Sequence, residues 1–433
     1  MSELLIVGGL FLGSLLALYA IGVPVAIAMG SSVIIMWILP FGQDINFTLI
    51  SNQLFFGVNS YPLLAVPFYV FLGRLMNRVG MTKRIFDFAG SIVGHYRGGI
   101  AHVNIVASML FAGMSGMATA DAAGLGRIEY AAMRDYGYDK KTALGITGSS
   151  ALIGPLIPPS VAIIIYGVLA EESIGKLFLG GFLPGIIMGL SLMIFVVALS
   201  YYHGFEPDYE FEVSEVWRTF KRAIFAILTP ILIIGGLLSG QFTATEAGAI
   251  AVVYIGVIGY FVYGELTLDI LYEEMRDSMI ETVSLTFIIA VASLYGLAAL
   301  QLQLPQLLVD GFSGVSTDPT ILLLSLTVLF LVVGTFMDTI AAMTVLVPII
   351  MPLVTIVNID PIHFGVVMLL ALLLGLLTPP FGIILFVLEK VTDASLNEVM
   401  RGVLPYYVPI IVVLLLSIFF PEIVTYIPRQ LMA

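Results

Sequence analysis

The chain has 433 residues, of which 60% are hydrophobic and only 11% charged, with a formal net charge of -12. A soluble domain carries about a quarter charged residues, so a soluble enzyme or nucleic-acid binder is excluded and a polytopic membrane protein remains. Cysteine is absent, which excludes disulfides and thiolate metal or redox chemistry; the four histidines (His95, His102, His203, His363) lack metal-ligand spacing and read as loop or interfacial residues.

In chain order, the N-terminus is apolar from Leu4 onward with no cationic start, so it reads as a first membrane helix and not a cleaved signal. Spanning segments are expected near 3–20, 23–40, 62–79, 142–170, 177–200, 223–240, 245–263, 279–299, 363–389 and 402–420, each close to the ~20 apolar residues a crossing needs. Segments 44–58 and 265–276 are too polar to cross and read as interfacial helices. The longest polar stretch, 203–222, is a loop. Two further apolar stretches, 98–133 and 319–355, are interrupted at their centres by GMSGMATAD (113–121) and GTFMDTIAA (334–342). Each is either a full crossing or a re-entrant helical hairpin.

Basic residues choose between these. With the N-terminus outside and both stretches as hairpins, all 17 lysines and arginines except Lys176 and Arg429 lie inside or, for Arg127, in the first hairpin's returning arm. Single crossings would place Lys140, Lys141, Arg218, Lys221 and Arg222 opposite Arg78, Lys83 and Arg84, against the positive-inside rule. The hairpin reading puts both termini outside.

LIGPLIPPSV (152–161) breaks a span with three prolines, each removing a backbone N–H. It has a twin. GPLIPPSVAIIIYGVLAEESIGKLFLGGFLP (154–184) aligns without gaps to GLLTPPFGIILFVLEKVTDASLNEVMRGVLP (375–405), matching Gly154 with Gly375, Pro158–Pro159 with Pro379–Pro380, Gly181 with Gly402 and Pro184 with Pro405. The same offset, 221 positions, carries Gly113 onto Gly334. Five spans plus a hairpin is an odd number of crossings, so the halves form an inverted repeat. Paired, interrupted segments in two inverted halves mark a transporter's binding site: unwinding frees carbonyls for Na⁺, and half-helix N-termini favour an anion.

The motifs LLAVPFYVFLGRLM (63–76), MSGMATADAAGLGRIEYAAMRDYGY (114–138), IGPLIPPSVAIIIYG (153–167), SIGKLFLGGFLPG (173–185), TATEAGAIAVVY (243–254) and GLLTPPFGIILFV (375–387) together resemble the large membrane subunit of tripartite ATP-independent periplasmic (TRAP) transporters. The resemblance implies an all-α, sodium-coupled elevator importer of organic acids in a bacterial inner membrane, without organic cofactor. It implies two partners: a small four-helix membrane subunit and a soluble periplasmic substrate-binding protein. The expected organisation is 1–97 first scaffold with an arm helix, 98–200 first transport region, 201–318 connecting loop and second scaffold with its arm helix, and 319–433 second transport region.

Carried over by motif, one sodium site falls on Ala112, Ser115, Gly154, Ile157 and Pro159, mostly through carbonyls; the symmetric one falls on Gly334, Gly375, Thr378 and Pro380, with the Thr378 hydroxyl as a side-chain ligand. Oxygen donors suit a hard cation. Where the family commonly has Ser-Gly-Ser at the first tip, this chain has Ser115-Gly116-Met117. Ser115, Ser160 and Asp338 are the candidate substrate contacts. Asp338 is the one acid at the second tip, and it either meets substrate or caps the returning helix. Asp121 reads as a cap, Glu246 as the start of a scaffold helix with Thr243 or Thr245, and Arg127 and Glu129 as anchors to headgroups or scaffold. A self-sufficient sodium–dicarboxylate symporter or ion antiporter of similar inverted architecture is the alternative. No catalytic constellation such as Ser-His at depth appears, so an enzyme is not expected.

Overall fold

The computed structural model describes residues 2–38, 47–307 and 318–432, and among these there is no strand. The first half runs α1 (Ser2–Ala20), α2 (Val25–Ile38), α3 (Phe47–Val58), α4 (Ala65–Arg78), α5 (Met81–Val93), α6 (Gly99–Ser115), α7 (Ala118–Ala123), α8 (Leu125–Asp135), α9 (Lys140–Ser150), α10 (Val161–Leu169) and α11 (Ile174–His203). The second runs α12 (Val213–Leu238), α13 (Ala244–Val257), α14 (Leu268–Gln301), α15 (Pro319–Phe336), α16 (Thr339–Ile356), α17 (Pro361–Leu376), α18 (Ile383–Val391), α19 (Leu396–Val403), α20 (Tyr407–Phe419) and α21 (Glu422–Leu431).

The sequence repeat is a repeat of elements. Shifting 118–135, the extent of α7 and α8, by 221 gives 339–356, the bounds of α16; α9 and α17 start at corresponding residues. Their caps correspond too. Asp139 accepts hydrogen bonds from the Lys141 and Thr142 amides, and Asp360 from those of Ile362 and His363. Such caps satisfy orphan N–H groups and stabilise a helix by about 1 kcal/mol.

Both interrupted stretches double back. Near the start of the first, the Ile100 amide donates to Asp208 Oδ2 at 2.7 Å; just past its end, the Tyr138 hydroxyl donates to the same oxygen at 3.1 Å. One carboxylate therefore holds both feet of hairpin 1 on one side. Hairpin 2 has its feet together as well, since Pro319 and Thr320 line one cavity with Asn358 and Ile359.

Among the described residues seven helices are long and apolar enough to cross alone, and the α3–α4 pair, bent by 56°, would make an eighth. About ten crossings were expected. The difference arises because proline and glycine cut spans such as 142–170 into α9 and α10, of 11 and 9 residues, each too short for a ~30 Å core. Conversely, two of the seven, Pro319–Phe336 and Thr339–Ile356, are the arms of hairpin 2. Length alone does not separate an arm from a crossing.

Three expectations change. Residues 265–276 are not a separate interfacial helix: Leu268 begins the 34-residue α14, which at 1.5 Å per residue is roughly 51 Å long and overhangs the hydrocarbon. Its overhanging acids find partners, as Arg74 pairs with Glu274 at 3.0 Å and Asp277 at 2.9 Å. The stretch between the expected segments 62–79 and 98–133, assigned no element from the sequence, contains α5, whose Lys83, Arg84 and Asp87 hide an apolar face of Ile85, Phe86, Ala89 and Val93. His102 and His363 are buried helix residues, His363 Nε2 lying 2.7 Å from the Ser417 carbonyl. Interfacial residues 44–46 and the span end 39–40 lie outside the described residues.

Candidate functional site between two hairpin tips and two broken helices

Proline at 155, 158 and 159 leaves the carbonyls four residues earlier without their helical donors. In the first break no backbone N–H among the described residues reaches the carbonyl of Gly154, Ile157 or Pro159, whereas that of Ile153 accepts from both Leu156 and Ile157. The chain becomes helical again at α10, with Ser160 as its cap: the Ser160 hydroxyl accepts from the Ile163 amide at 3.3 Å. Both Pro158–Pro159 and Pro379–Pro380 are cis.

The second break is more self-satisfied. Gly375 accepts from the Thr378 amide at 2.8 Å, Thr378 from the Gly382 amide at 3.1 Å, and the Thr378 hydroxyl donates to the Leu374 carbonyl at 2.7 Å. A carbonyl has two lone pairs, so these oxygens keep a site for a cation. The first break is wholly buried, while Pro380 is exposed.

Each hairpin is pressed onto a break. Gly116 has φ +61, and a Cβ there would lie 2.6 Å from the Val161 nitrogen and 2.9 Å from Ser160 Cα. Only glycine accepts both the left-handed backbone and that approach. Gly334 meets Gly375 in the same way, a Cβ on Gly334 falling 2.6 Å from the Leu372 carbonyl oxygen and 3.1 Å from Gly375 Cα. Ala112 is buried beside the first tip. Ser115 ends α6, and its side chain lies outside the described residues.

Where the four pieces converge there is a small cavity of about 10 Å³, bounded by Met117, Ala118, Asp338, Thr339, Pro155 and Leu376. That is room for about one water molecule. Of the candidate substrate residues, Asp338 lines it. Ser160 is buried under Gly116 with its oxygen already used as a cap, and does not line the cavity. Asp338 also caps α16, accepting from the Ile340 amide at 3.0 Å. The sequence reading missed Thr339, which lines the same cavity and whose buried hydroxyl has no hydrogen-bond partner among the described residues.

Two larger cavities flank this one. A 240 Å³ cavity lies between α4, α14 and hairpin 1, with Arg74, Asn77 and Glu281 at its polar end and Phe111, Met117 and Leu125 at its apolar end. An 810 Å³ crevice lies between α3, α14, the end of α10 and the outer part of α16. Other readings resolve. Thr243 and Glu246 form a capping box on α13. Asp121 is not the cap of α7, because Met117 holds that position. Glu129 is buried and accepts from the Ser108 hydroxyl at 3.1 Å, so it is no headgroup anchor, while Arg127 is exposed.

The family model described as "Tripartite ATP-independent periplasmic transporter, DctM component" matches residues 12–423. The chain belongs to this family. It is thus a multi-pass permease subunit and not an enzyme. Among its relatives, the sialic acid TRAP transporter large permease protein SiaM of Vibrio cholerae is 41% identical, over 98% of each chain. The sialic acid TRAP transporter permease protein SiaT of Haemophilus influenzae is 42% identical over 95% of this chain, which spans only 66% of that protein's length. The C4-dicarboxylate large permease DctM of Pseudomonas aeruginosa is 35% identical over 91% of this chain and 92% of its own length. Among solved structures, the YdaH transporter of Alcanivorax borkumensis shares the fold, with a TM-score of 0.61 at 13% identity over 87% of this chain and 88% of that one.

Proposed function

We propose that this chain is the membrane-spanning, substrate-translocating subunit of a sodium-coupled importer of an organic acid, moving its paired hairpins and broken helices as one body in an elevator manner. The observation that carries this reading is the small cavity that both hairpin tips line and that both helix breaks border. Two broken helices there offer carbonyls to cations and α10 and α16 N-termini to an anion. The first cation site uses Ala112, Ser115, Gly154, Ile157 and Pro159; the second uses Gly334, Gly375, Thr378 and Pro380. Sodium arriving at these oxygens lowers the cost of bringing a carboxylate near Asp338.

The substrate class we favour is a hydroxylated acid of the sialic acid kind. Its support is the 41–42% identity to two permeases named for sialic acid, against 35% to one named for C4-dicarboxylates. A carboxylate in the pocket also repels a second substrate carboxylate while accepting hydrogen bonds from hydroxyls.

The basic-residue distribution supports the orientation with both termini periplasmic, and the family match supports a place in the bacterial inner membrane. The conformation then corresponds to an inward one. The Tyr19 hydroxyl, at the inner end of α1, donates to the Phe336 carbonyl at the tip of hairpin 2 at 2.8 Å, and Met117 at the other tip borders the cavity on the Arg74 side. A small four-helix subunit and a periplasmic binding protein complete the machine.

Proteoliposomes test the reading. Sodium-driven uptake of sialic acid is expected only when a cognate soluble binding protein is supplied. Robust uptake by the chain without it would favour a self-sufficient symporter, and uptake indifferent to a sodium gradient would remove the cation sites.

A further inference from the structure

The inverted repeat allows each wall of the tip cavity to be compared with its counterpart. Position 117 corresponds to 338 and position 118 to 339, so Met117 and Ala118 in hairpin 1 stand where hairpin 2 has Asp338 and Thr339. The cavity is therefore apolar on one wall and polar on the other. On the polar wall, Asp338 spends one carboxylate oxygen on the Ile340 amide. Thr339 is 5% exposed, and its hydroxyl has no partner among the described residues. A buried hydroxyl left unpaired is costly, and native structures keep such groups mainly where a ligand or water completes them.

The apolar wall can move. Met117 stands at the head of α7, the position from which Asp338 caps α16 in hairpin 2. Met117 lines both the tip cavity and the 240 Å³ cavity beside Arg74. Gly116 behind it is held against Ser160 and Val161, so the backbone at the tip cannot retreat that way. An unbranched thioether with three rotatable bonds can. Furthermore, the returning arm of hairpin 1 is divided at Gly124 into α7 and α8, while its counterpart α16 runs unbroken from Thr339 to Ile356.

We propose that the Thr339 hydroxyl binds a hydroxyl or carboxylate oxygen of the transported acid, in a pocket that opens when Met117 withdraws into the cavity beside Arg74. This rests on the reading that the hairpin tips form the transport site. The pocket measures only about 10 Å³ with Met117 among its walls; substrate replaces the thioether, gives Thr339 its missing partner, and enters in one orientation because only one wall is polar. The second cavity is the space that receives the displaced side chain.

The absence of cysteine makes the test direct, since Met117→Cys introduces the sole thiol. In full-length protein, saturating sialic acid is expected to change the maleimide labelling rate of that thiol at least threefold, and Thr339→Val in the same background to shift the half-maximal sialic acid concentration about tenfold upward, the scale of one lost hydrogen bond. Thr339→Ser should restore it to within twofold. In uptake, Thr339→Val should raise KM by a similar factor with kcat and abundance little changed. An unchanged KM in Thr339→Val overturns the role of Thr339, and labelling indifferent to sialic acid overturns that of Met117. Attaching a bulky maleimide after folding separates these failures from a broader one. Fully labelled protein that still imports sialic acid would place the transport site away from the tips altogether.

Discussion

Met117 and Asp338 are 221 positions apart, head the returning arms of the two hairpins, and line the same small cavity. Symmetric backbone positions thus carry a thioether and a carboxylate. The backbone repeat builds the cavity, and the departure from side-chain symmetry gives it a direction. Because Asp338 both caps a helix and lines the cavity, its two roles can be separated by choice of substitution.

Asp338→Asn retains a good N-cap and removes the charge, whereas Asp338→Ala removes both. Thermal unfolding of the purified protein should show the alanine variant destabilised by about 1 kcal/mol and the asparagine variant scarcely changed. Uptake, by contrast, should fall in both. Normal uptake in Asp338→Asn would reduce the residue to a cap.

Thr378 offers a similar division for the second cation site. Its hydroxyl donates to the Leu374 carbonyl, leaving oxygen lone pairs free for sodium. Thr378→Val should raise the half-saturating sodium concentration about tenfold, in keeping with a lost ligand or hydrogen bond of roughly 1.4 kcal/mol, while lowering protein abundance far less. Thr378→Ser should behave like the parent. Sodium activation curves measure this, and superimposable curves for Thr378→Val and the parent would remove the hydroxyl from the site.

The architecture was legible because breakers are rare and carry position. Pro158, Pro159, Pro379 and Pro380 fix where two helices stop, and glycine spacing carried the repeat through leucine-rich sequence. The feet of the hairpins were legible only through charge, and the contact that joins them, Asp208 with Ile100 and Tyr138, spans more than a hundred residues and leaves no local pattern. Composition concealed α5, because a helix half-buried against protein at the membrane edge needs only one apolar face. Thr339 was missed for a different reason. Beside Asp338 it reads as an ordinary first-turn residue, and only packing shows that its hydroxyl is buried and unpaired.

Gly334 and Gly375 pack backbone to backbone, so neither neighbour can yield by rotating a side chain. Gly334→Ala should therefore destabilise by about 1–3 kcal/mol, as overpacking does, and should displace hairpin 2 from the second break, reducing sodium affinity as well. Gly13→Ala is the control. Nothing lies within 4 Å of a Cβ at that exposed α1 position, so thermal stability should hold or rise slightly. Equal melting temperatures for the two variants would contradict the close approach.

At the foot of hairpin 1, Asp393 joins the halves: the Tyr130 hydroxyl donates to Oδ1 at 2.5 Å, and Lys140 Nζ lies 3.1 Å from Oδ2. The Tyr130 hydrogen bond, followed by that from Lys140, holds this carboxyl below its ordinary value of 3.8. A folded-state pKa that is depressed contributes stability above the unfolded value and loses it as pH falls through the folded one. The clamp is thus fully present at neutral pH and disappears only below about pH 4, the ordinary carboxylate range. Asp393→Asn should accordingly lower the melting temperature at pH 7, modestly because the pair is exposed to solvent, and the gap to the parent should narrow as the pH falls below about 4. Tyr130→Phe should reproduce part of the loss at pH 7. A gap that persists undiminished at pH 3 would show that the substitution acts through packing of the loop and not through the ionised carboxylate.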